Sequence, residues 1–272
     1  MVSLLTNLRQ RPLWQVCGLG LAAGLVISVP LARRHPLAGW WGLGIGEVVV
    51  LGQDAGGSNT DTIFTLRVQP GSTRITQIPR DSYINPDGFG AMKINGLLRR
   101  GGPEAVEREL TRLMNRPVRH HVVVSLQTLP LLANLVGGIE VDVPKRLYYV
   151  DRTQDLVIDL QPGRQVLSGK ALEGFLRWRN DGRGDFGRLE RQQMALKGLV
   201  NRLRQPQNLL KLPVLLGVVR SQVKTDLNPI QKAGLAAGVI STDLDTKRLK
   251  AVPFSSGGIS YLETEWPFKT KR

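Results

Sequence analysis

Residues 13 to 32 form a run without a charged side chain, and this run divides the chain into two unequal parts. A helix of these 20 residues extends about 30 Å, which matches the hydrocarbon thickness of a bilayer. Arg9 and Arg11 precede the run, and Arg33 and Arg34 follow it. The pattern predicts a tail over 1–12, a transmembrane helix over 13–32, a linker over 33–46 and one large domain over 47–272.

A cleaved signal peptide has the same charged start and apolar middle, so two interpretations of this run compete. The run is long for the core of a signal peptide and has no small-x-small cleavage site, which favours a retained signal anchor. The basic residues before the run, together with the amino terminus, outnumber those after it and place the N-terminus inside. We therefore expect a single-pass protein of the plasma membrane with its large domain outside the cytoplasm.

The net charge of +15, from 37 Lys and Arg against 22 Asp and Glu, predicts a polyanionic partner. Nucleic acid, an anionic membrane surface and phosphate-bearing substrates all satisfy this condition. The excess is local, because nine basic residues face four acidic ones between Lys170 and Arg204. Most of the nine are arginines, whose planar fork matches phosphate oxygens. Cys17 is the single cysteine, so neither an internal disulfide nor a thiolate metal site can form.

Short apolar runs alternate with helical patterns after residue 46, which predicts an α/β domain. The runs 62–68 and 73–78 flank Pro70-Gly71, the central pair of a type II turn, and so predict a hairpin. An antiparallel hairpin makes the central sheet mixed. The other predicted strands are 48–51, 122–124 and 139–143, and predicted helices cover 103–115 and 126–136 and begin near 167 and 185.

The hairpin also predicts which charged residues meet. Pairing outward from Pro70-Gly71 places Asp61 opposite Arg80 at the open end. Asp54 leaves the preceding strand, so the three charged groups are expected at one edge of the sheet. On the helix that begins near Asp185, Arg188 and Gln192 are one turn apart and share a face.

These residues have ordinary interpretations when they are taken singly. Asp54 and Asp61 suit turns, Asp185 suits a helix N-cap, and the arginines suit a solvated face. Their combination is more informative, because hard carboxylates that suit Mg²⁺, several arginines and a helix N-terminus are the groups needed to hold and activate a diphosphate.

Other chemistries find less support. The nucleotide motifs GxxxxGK[ST] and GxGxxG are absent, and so is the GxSxG signature of acyl transfer. His120 and His121 are adjacent in a predicted strand and point to opposite faces, so they cannot share a metal ion there. Packed or exposed histidines are the expectation at both positions.

An ordered set of short motifs resembles the LytR-CpsA-Psr family of cell-wall glycopolymer transferases. Each motif alone is weak, but their order is specific and covers roughly Glu47 to Arg204. Read along the chain, they are Gly52-Gln53-Asp54, Thr60-Asp61-Thr62, Ile78-Pro79-Arg80-Asp81, Lys93-Ile94-Asn95, Gly101-Gly102-Pro103-Glu104, the segment from Val136 to Pro144, and the block from Arg177 through Asp185 to Gln193.

The resemblance implies a single-pass membrane protein with an extracytoplasmic three-layer α/β/α domain. It implies a phosphotransferase that moves a glycan-phosphate from a polyprenyl-pyrophosphate carrier to peptidoglycan or another acceptor, and no nucleic acid as partner. Two alternatives stay open: hydrolysis of the lipid pyrophosphate, and a membrane-tethered regulator that binds DNA through its basic surface.

The resemblance also assigns roles by motif. Asp54 and Asp61 would hold Mg²⁺ (or Mn²⁺). The catalytic set would consist of Asp61, Arg80, Asp81 and Asp185, of which Asp81 and Asp185 match acidic positions whose exact role is not assigned. The pyrophosphate would be bound by Arg80, Lys93, Arg177, Arg179, Arg188 and Gln192. One departure is visible, because Asp54 is followed by Ala55-Gly56-Gly57 where the family often has an arginine.

Overall fold

The structure is a computed structural model, and it describes residues 44–53, 59–125, 127–151, 156–178 and 185–267. The predicted transmembrane segment 13–32 lies outside these ranges, as do Asp54 and Arg179. None of the helices within the ranges is both long and apolar enough to cross a bilayer.

Six strands build the central sheet. They are β1 (Glu47–Gln53), β2 (Thr60–Gln69), β3 (Ser72–Ile78), β6 (Val118–Ser125), β11 (Val223–Thr225) and β12 (Asp243–Arg248). Their order across the sheet is β11-β6-β1-β2-β3-β12. β6 runs parallel to β1 and β12 runs parallel to β3, whereas the other three pairs are antiparallel. The predicted mixed α/β class is therefore confirmed.

The remaining strands form two-stranded ribbons around this sheet. They are β4 (Tyr83–Ile84) with β5 (Met92–Lys93), β7 (Ile139–Val143) with β10 (Gly163–Leu167), β8 (Leu147–Asp151) with β9 (Leu156–Leu160), and β13 (Ala251–Ser256) with β14 (Ile259–Thr264). The helices are α1 (Leu97–Met114), α2 (Thr128–Leu135), α3 (Gly169–Arg177), α4 (Asp185–Leu203), α5 (Pro206–Leu209), α6 (Leu212–Gln222) and α7 (Pro229–Ser241).

The predicted hairpin is confirmed in its register. Gln69 pairs with Ser72 beside the turn, and Ile63 pairs with Ile78 near the open end. Gly71 has a φ of 74°, the positive value that the third position of a type II turn requires. The open end of the hairpin thus carries Asp61 on one strand and Arg80 just beyond the other.

Helices cover both faces of the central sheet. Val49 and Leu51 of β1 belong to the core cluster that contains Leu110 of α1. Val48 points to the opposite face and joins a cluster with Leu235 of α7. Since side chains alternate along a strand, β1 contributes apolar side chains to the cores on both faces of the sheet. Burial of each such Val or Leu side chain stabilises the fold by about 1.5–3 kcal/mol.

Helix α4 joins the sheet to a second hydrophobic core. On one side, Gln77 of β3 donates its Nε2 hydrogen bond to the Leu189 carbonyl of α4 at 3.3 Å. On the other side, Leu199 packs in a cluster with Ile139 of β7 and Phe175 of α3. The helix that begins with the arginine-rich segment is therefore fixed on two sides.

The close packing of α4 against β7 gives a first testable prediction. A Cβ added at Gly198 would lie 2.6 Å from the Glu140 carbonyl oxygen, so that Gly198→Ala must push helix and strand apart. We expect Gly198→Ala to lower the free energy of unfolding by about 1–3 kcal/mol in denaturant titrations. Gly217→Ala is the matched control, because its Cβ would meet no atom within 4 Å and alanine favours a helix by up to about 1 kcal/mol. Equal stability of the two variants would contradict the prediction.

Candidate anion-binding site

Asp61 and Arg80 form the first contact of the site. Asp61 is the second residue of β2, and Arg80 follows the end of β3 by two residues. The Arg80 guanidinium donates to Asp61 Oδ1 with a distance of 2.5 Å between the two atoms. Both side chains are partly buried. The contact that the hairpin register predicts is therefore present.

Arg188 of α4 approaches the same carboxylate from the helix side. Its Nη1 lies 3.3 Å from Asp61 Oδ2, and its Nη2 donates to the Asp61 main-chain carbonyl at 2.9 Å. Only 2% of the Arg188 side chain is exposed. A guanidinium this deeply buried needs a charged partner, so Asp61 and Arg188 depend on each other for their positions. Each oxygen of the Asp61 carboxylate faces one arginine.

Gln192 lies one turn after Arg188 and continues the contact with β2. Its Oε1 accepts a hydrogen bond from the Thr62 hydroxyl at 2.9 Å. The next residue, Gln193, donates a hydrogen bond from its Nε2 to Gln77 Oε1 on β3. The predicted shared face of Arg188 and Gln192 is confirmed, and it is turned toward the strand that carries Asp61.

Asp81 and Lys93 extend the cluster along the edge of the sheet. Lys93 Nζ lies 3.1 Å from Asp81 Oδ1, and Arg80 Nε lies 3.9 Å from Asp81 Oδ2. Main-chain hydrogen bonds from Asn95 to the Arg80 carbonyl (3.1 Å) and from Ile94 to the Ser82 carbonyl (3.0 Å) hold the two segments together. Five residues thus form a row of alternating charge, here called the charged row: Arg188, Asp61, Arg80, Asp81 and Lys93.

Two further predicted site residues, Arg177 and Asp185, lie at helix ends. Arg177 ends α3, and its Nη1 lies 3.1 Å from Glu173 Oε1 one turn earlier, in a largely exposed pair. Asp185 is the first residue of α4, as expected for a residue at a helix start. The described pair with Glu173 places Arg177 at the surface end of α3, and its predicted role in binding pyrophosphate stays a prediction.

Arg191 received no role from the sequence, yet it is fully buried in α4. Its guanidinium lies 4.9 Å from the centre of the Trp178 ring and donates to the Trp178 carbonyl. Trp178 directly follows Arg177, so this contact fastens the end of α3 to the helix that carries Arg188. The sequence spacing could have predicted this position, because Arg188, Arg191 and Gln192 stand at i, i+3 and i+4 and therefore lie on the same side of a helix.

Asp61 suits the role of a magnesium ligand. Mg²⁺ prefers carboxylate oxygens, and an ionised carboxylate has about four lone-pair directions, so that contacts with two arginines leave acceptor capacity. The surrounding guanidinium groups disfavour a cation at a lone carboxylate. A second carboxylate is therefore required beside Asp61, and Asp54, which lies outside the described residues, follows β1 directly in the sequence.

The fold and the charged row define a mixed α/β domain with a cluster of cationic and carboxylate side chains at one edge of the sheet. Residues 45–265 match the model of the LytR_cpsA_psr family, which is most of the chain. The chain belongs to the LytR-CpsA-Psr family. The match continues beyond Arg204, so the segment after α4 is part of the family's domain.

Individual relatives are distant. The chain is 29% identical over 202 residues to the regulatory protein MsrR of Staphylococcus aureus (strain COL), which covers 71% of the chain and 60% of MsrR. It is 28% identical over 231 residues to the polyisoprenyl-teichoic acid–peptidoglycan teichoic acid transferase TagU of Enterococcus faecalis, covering 79% of the chain and 73% of TagU. A structure of TagT bound to LIIa-WTA has the same fold, with a TM-score of 0.67, 20% identity and coverage of 81% and 84%.

Proposed function

We propose that the chain is a phosphotransferase that moves a glycan-phosphate from a polyprenyl-pyrophosphate carrier to a hydroxyl group of the cell wall, with peptidoglycan as the acceptor. The observation that carries this proposal is the charged row at the edge of the sheet, in which Arg80 and Arg188 flank Asp61 and Lys93 pairs with the neighbouring Asp81. The transferase name of TagU supports the same reaction class.

The reaction is an in-line displacement at phosphorus. The acceptor hydroxyl oxygen attacks the phosphorus on the glycan side of the diphosphate and loses its proton to a base or to water. The bond from this phosphorus to the bridging oxygen breaks, and its electron pair leaves with polyprenyl phosphate. Negative charge therefore grows on the phosphate oxygens and on the leaving group during the step.

The residues of the charged row are suited to that change of charge. Arg80, which is partly exposed, presents guanidinium N–H groups held in place by Asp61, and Arg188 adds its positive charge from the buried side of the same carboxylate. Lys93, oriented by Asp81, adds a third positive charge. Arg177, Arg179 and Gln192 complete the proposed pyrophosphate site, and we assign the N-terminus of α4 at Asp185 to the same site.

Asp54 and Asp61 are the proposed ligands of a divalent ion, Mg²⁺ or Mn²⁺. Such an ion, when bound, offsets the negative charge of the diphosphate. Within the protein, Asp61 then has two tasks, since it also fixes the two guanidinium groups. Asp61 therefore belongs to the catalytic set together with Arg80.

The transfer reaction can be tested directly with and without acceptor. The 272-residue chain in detergent is given a polyprenyl-pyrophosphate glycan, Mg²⁺ and peptidoglycan, and products are separated by mass spectrometry. We expect a phosphodiester-linked glycan on peptidoglycan and release of polyprenyl phosphate only when acceptor is present. Release at the same rate without acceptor would instead identify a hydrolase.

Removal of divalent ions should stop the same reaction. Chelation with EDTA takes the counter-charge from the diphosphate, so we expect transfer to fall at least about 100-fold and to return on addition of Mg²⁺ or Mn²⁺. An equal amount of EDTA already saturated with Mg²⁺ is the control. Undiminished transfer in free EDTA would exclude the proposed ion.

The proposed location follows from the substrate. A polyprenyl chain lies in the bilayer, so an anchor over 13–32 would keep the domain within reach of the carrier. A topology reporter fused after Arg272 should be active outside the cytoplasm. A cytoplasmic signal would instead favour the DNA-binding regulator.

A further inference from the structure

A second group of ionisable side chains lies away from the charged row. Glu107 comes from α1, His121 from β6, and Asp226 follows β11. His121 Nδ1 lies 2.9 Å from Glu107 Oε1 and 3.5 Å from Asp226 Oδ1, and the three ligand atoms all lie within 4.8 Å of one another. Three separate elements thus converge on one small volume.

These separations suit a bound metal ion. Ligand atoms of Zn²⁺ lie about 2.0–2.2 Å from the ion, so neighbouring ligands are about 3.0–3.5 Å apart in octahedral or tetrahedral geometry. The two distances measured from His121 Nδ1, 2.9 and 3.5 Å, are close to this range. Two of the three separations therefore already suit an ion, and the third, between the Glu107 and Asp226 oxygens, is no more than 4.8 Å.

The main chain fixes Asp226 in the plane of the sheet. Its Oδ1 accepts the main-chain N–H of His121 at 2.9 Å, directly beyond the last β11–β6 pair, Thr225 with Val122. A carboxylate in this position is accessible from both faces. This explains why His120, whose side chain leaves β6 on the opposite face, also reaches it, with Nδ1 2.5 Å from Oδ2.

His120 therefore acts as an outer partner of the carboxylate. With its proton on Nδ1 it donates to Asp226, and its Nε2 then accepts from Gln231 Nε2 at 3.4 Å. Carboxylate ligands of metals are commonly held by such outer hydrogen bonds. Of the two adjacent histidines, His121 alone has a ring nitrogen in the three-residue cluster.

The surroundings are partly shielded from water. The side chains of His121, Glu107 and Asp226 are 11%, 16% and 34% exposed. Burial alone would raise the pKa of Asp226, but hydrogen bonds from His120 and from the His121 main chain hold that pKa below its usual value. The most exposed ligand, Asp226, leaves one side open for water or a further donor.

We propose that Glu107, His121 and Asp226 form a binding site for a divalent first-row transition-metal ion, with Zn²⁺ as the reference ion. The imidazole nitrogen favours such an ion over Mg²⁺ or Ca²⁺, which prefer oxygen ligands. The ion fastens α1 to the edge of the sheet formed by β6 and β11.

This site is separate from the proposed catalytic site. His121 is opposite Val49 in the β1–β6 pair, whereas Asp61 of the charged row lies beside Gly52 and Gln53 at the other end of β1. Three to four residues of strand separate these positions by about 10–13 Å along the sheet. The two sites can therefore be tested independently.

The test is calorimetric titration of the full 272-residue chain with Zn²⁺ in excess Mg²⁺. We expect one Zn²⁺ at this site per chain, and a rise in Tm of about 5 °C or more at a free concentration 100 times the Kd. Glu107→Gln and His121→Gln should each weaken zinc binding at least about 10-fold, with a smaller loss in His120→Gln. Circular dichroism checks that each variant is folded.

Two controls separate the sites. Asp159→Asn removes an exposed carboxylate on another ribbon, and Asp61→Asn removes the proposed magnesium ligand, and both should keep the zinc affinity. Independently of any variant, substoichiometric Co²⁺ should shift the His121 ring signals in NMR spectra. Absence of zinc binding and of the Co²⁺ shift, or unchanged zinc affinity in Glu107→Gln and His121→Gln, would overturn the proposal.

Discussion

Arg80→Ala should lower the rate of glycan transfer by about 100-fold or more while the chain stays folded. Arg80 is bound by Asp61 at 2.5 Å and lies at the centre of the charged row, so its loss removes a preorganised donor from the site of developing charge. Its side chain is partly exposed, and alanine leaves no sealed cavity. The measurement is initial transfer rate alongside thermal unfolding.

Arg74→Ala is the matched control for this substitution. Arg74 lies on the same strand, β3, and forms only an exposed pair with Asp245 at 3.6 Å. Exposed pairs contribute between zero and about 1 kcal/mol, so transfer and stability should both stay close to those of the parent chain. Near-normal transfer by Arg80→Ala would remove Arg80 from the catalytic set.

Arg188→Ala should affect both activity and stability. The substitution leaves Asp61 without its buried partner and empties the volume of a large side chain in α4. Loss of one member of a buried pair costs about 3–5 kcal/mol, and the partial exposure of Asp61 places the expected loss near 3 kcal/mol. Denaturant titration measures this loss, and the transfer assay should show at least about 100-fold lower activity.

Two further variants test the reason for that loss. Arg188→Lys tests whether positive charge alone is sufficient, and Lys197→Ala is the control on the same helix. Lysine keeps the charge but cannot supply the rigid fork that reaches both the carboxylate and the carbonyl of Asp61, so transfer should remain low although stability is partly restored. Lys197 is exposed on the same helix, and its alanine variant should stay within about 0.5 kcal/mol of the parent. Full activity of Arg188→Lys would show that charge alone suffices.

Local rules were sufficient for the part of the site that one hairpin builds. The turn at Pro70-Gly71 determines the register, and the register brings Asp61 to Arg80. The same rules placed β7 at residues 139–143 and the start of α4 at Asp185. In these segments, turn chemistry, apolar alternation and helix-start signals all favour one structure.

Tertiary packing determined what sequence patterns did not. A helix was predicted from Pro103, whereas α1 begins at Leu97 and passes a kink at Gly102, where φ is 73° and ψ is 177°. The helix α4 buries leucines such as Leu189 and Leu199, yet it also buries Arg188 and Arg191. Arginine is rarely buried, so a sequence pattern predicts that both side chains are exposed. Their burial becomes favourable only through their partners, Asp61 for Arg188 and Trp178 for Arg191.

The C-terminal third shows a different limit. Residues after Arg204 carry none of the motifs on which the family resemblance rests. They supply β11 and β12, the two outer strands of the central sheet, and also Asp226. Strand partners so distant in sequence are set by the global fold, which no local pattern encodes.

The tight connection between β2 and β3 lies nine residues away from Asp61, roughly 30 Å along an extended strand. Surface loops usually tolerate insertions and deletions. Here a single added residue that slipped the pairing would turn every later side chain of one strand to the opposite face and uncouple Asp61 from Arg80. Insertions and deletions among homologues should therefore be rarer at this turn than its exposure suggests, because the length of the turn determines which residues pair at the open end of the hairpin.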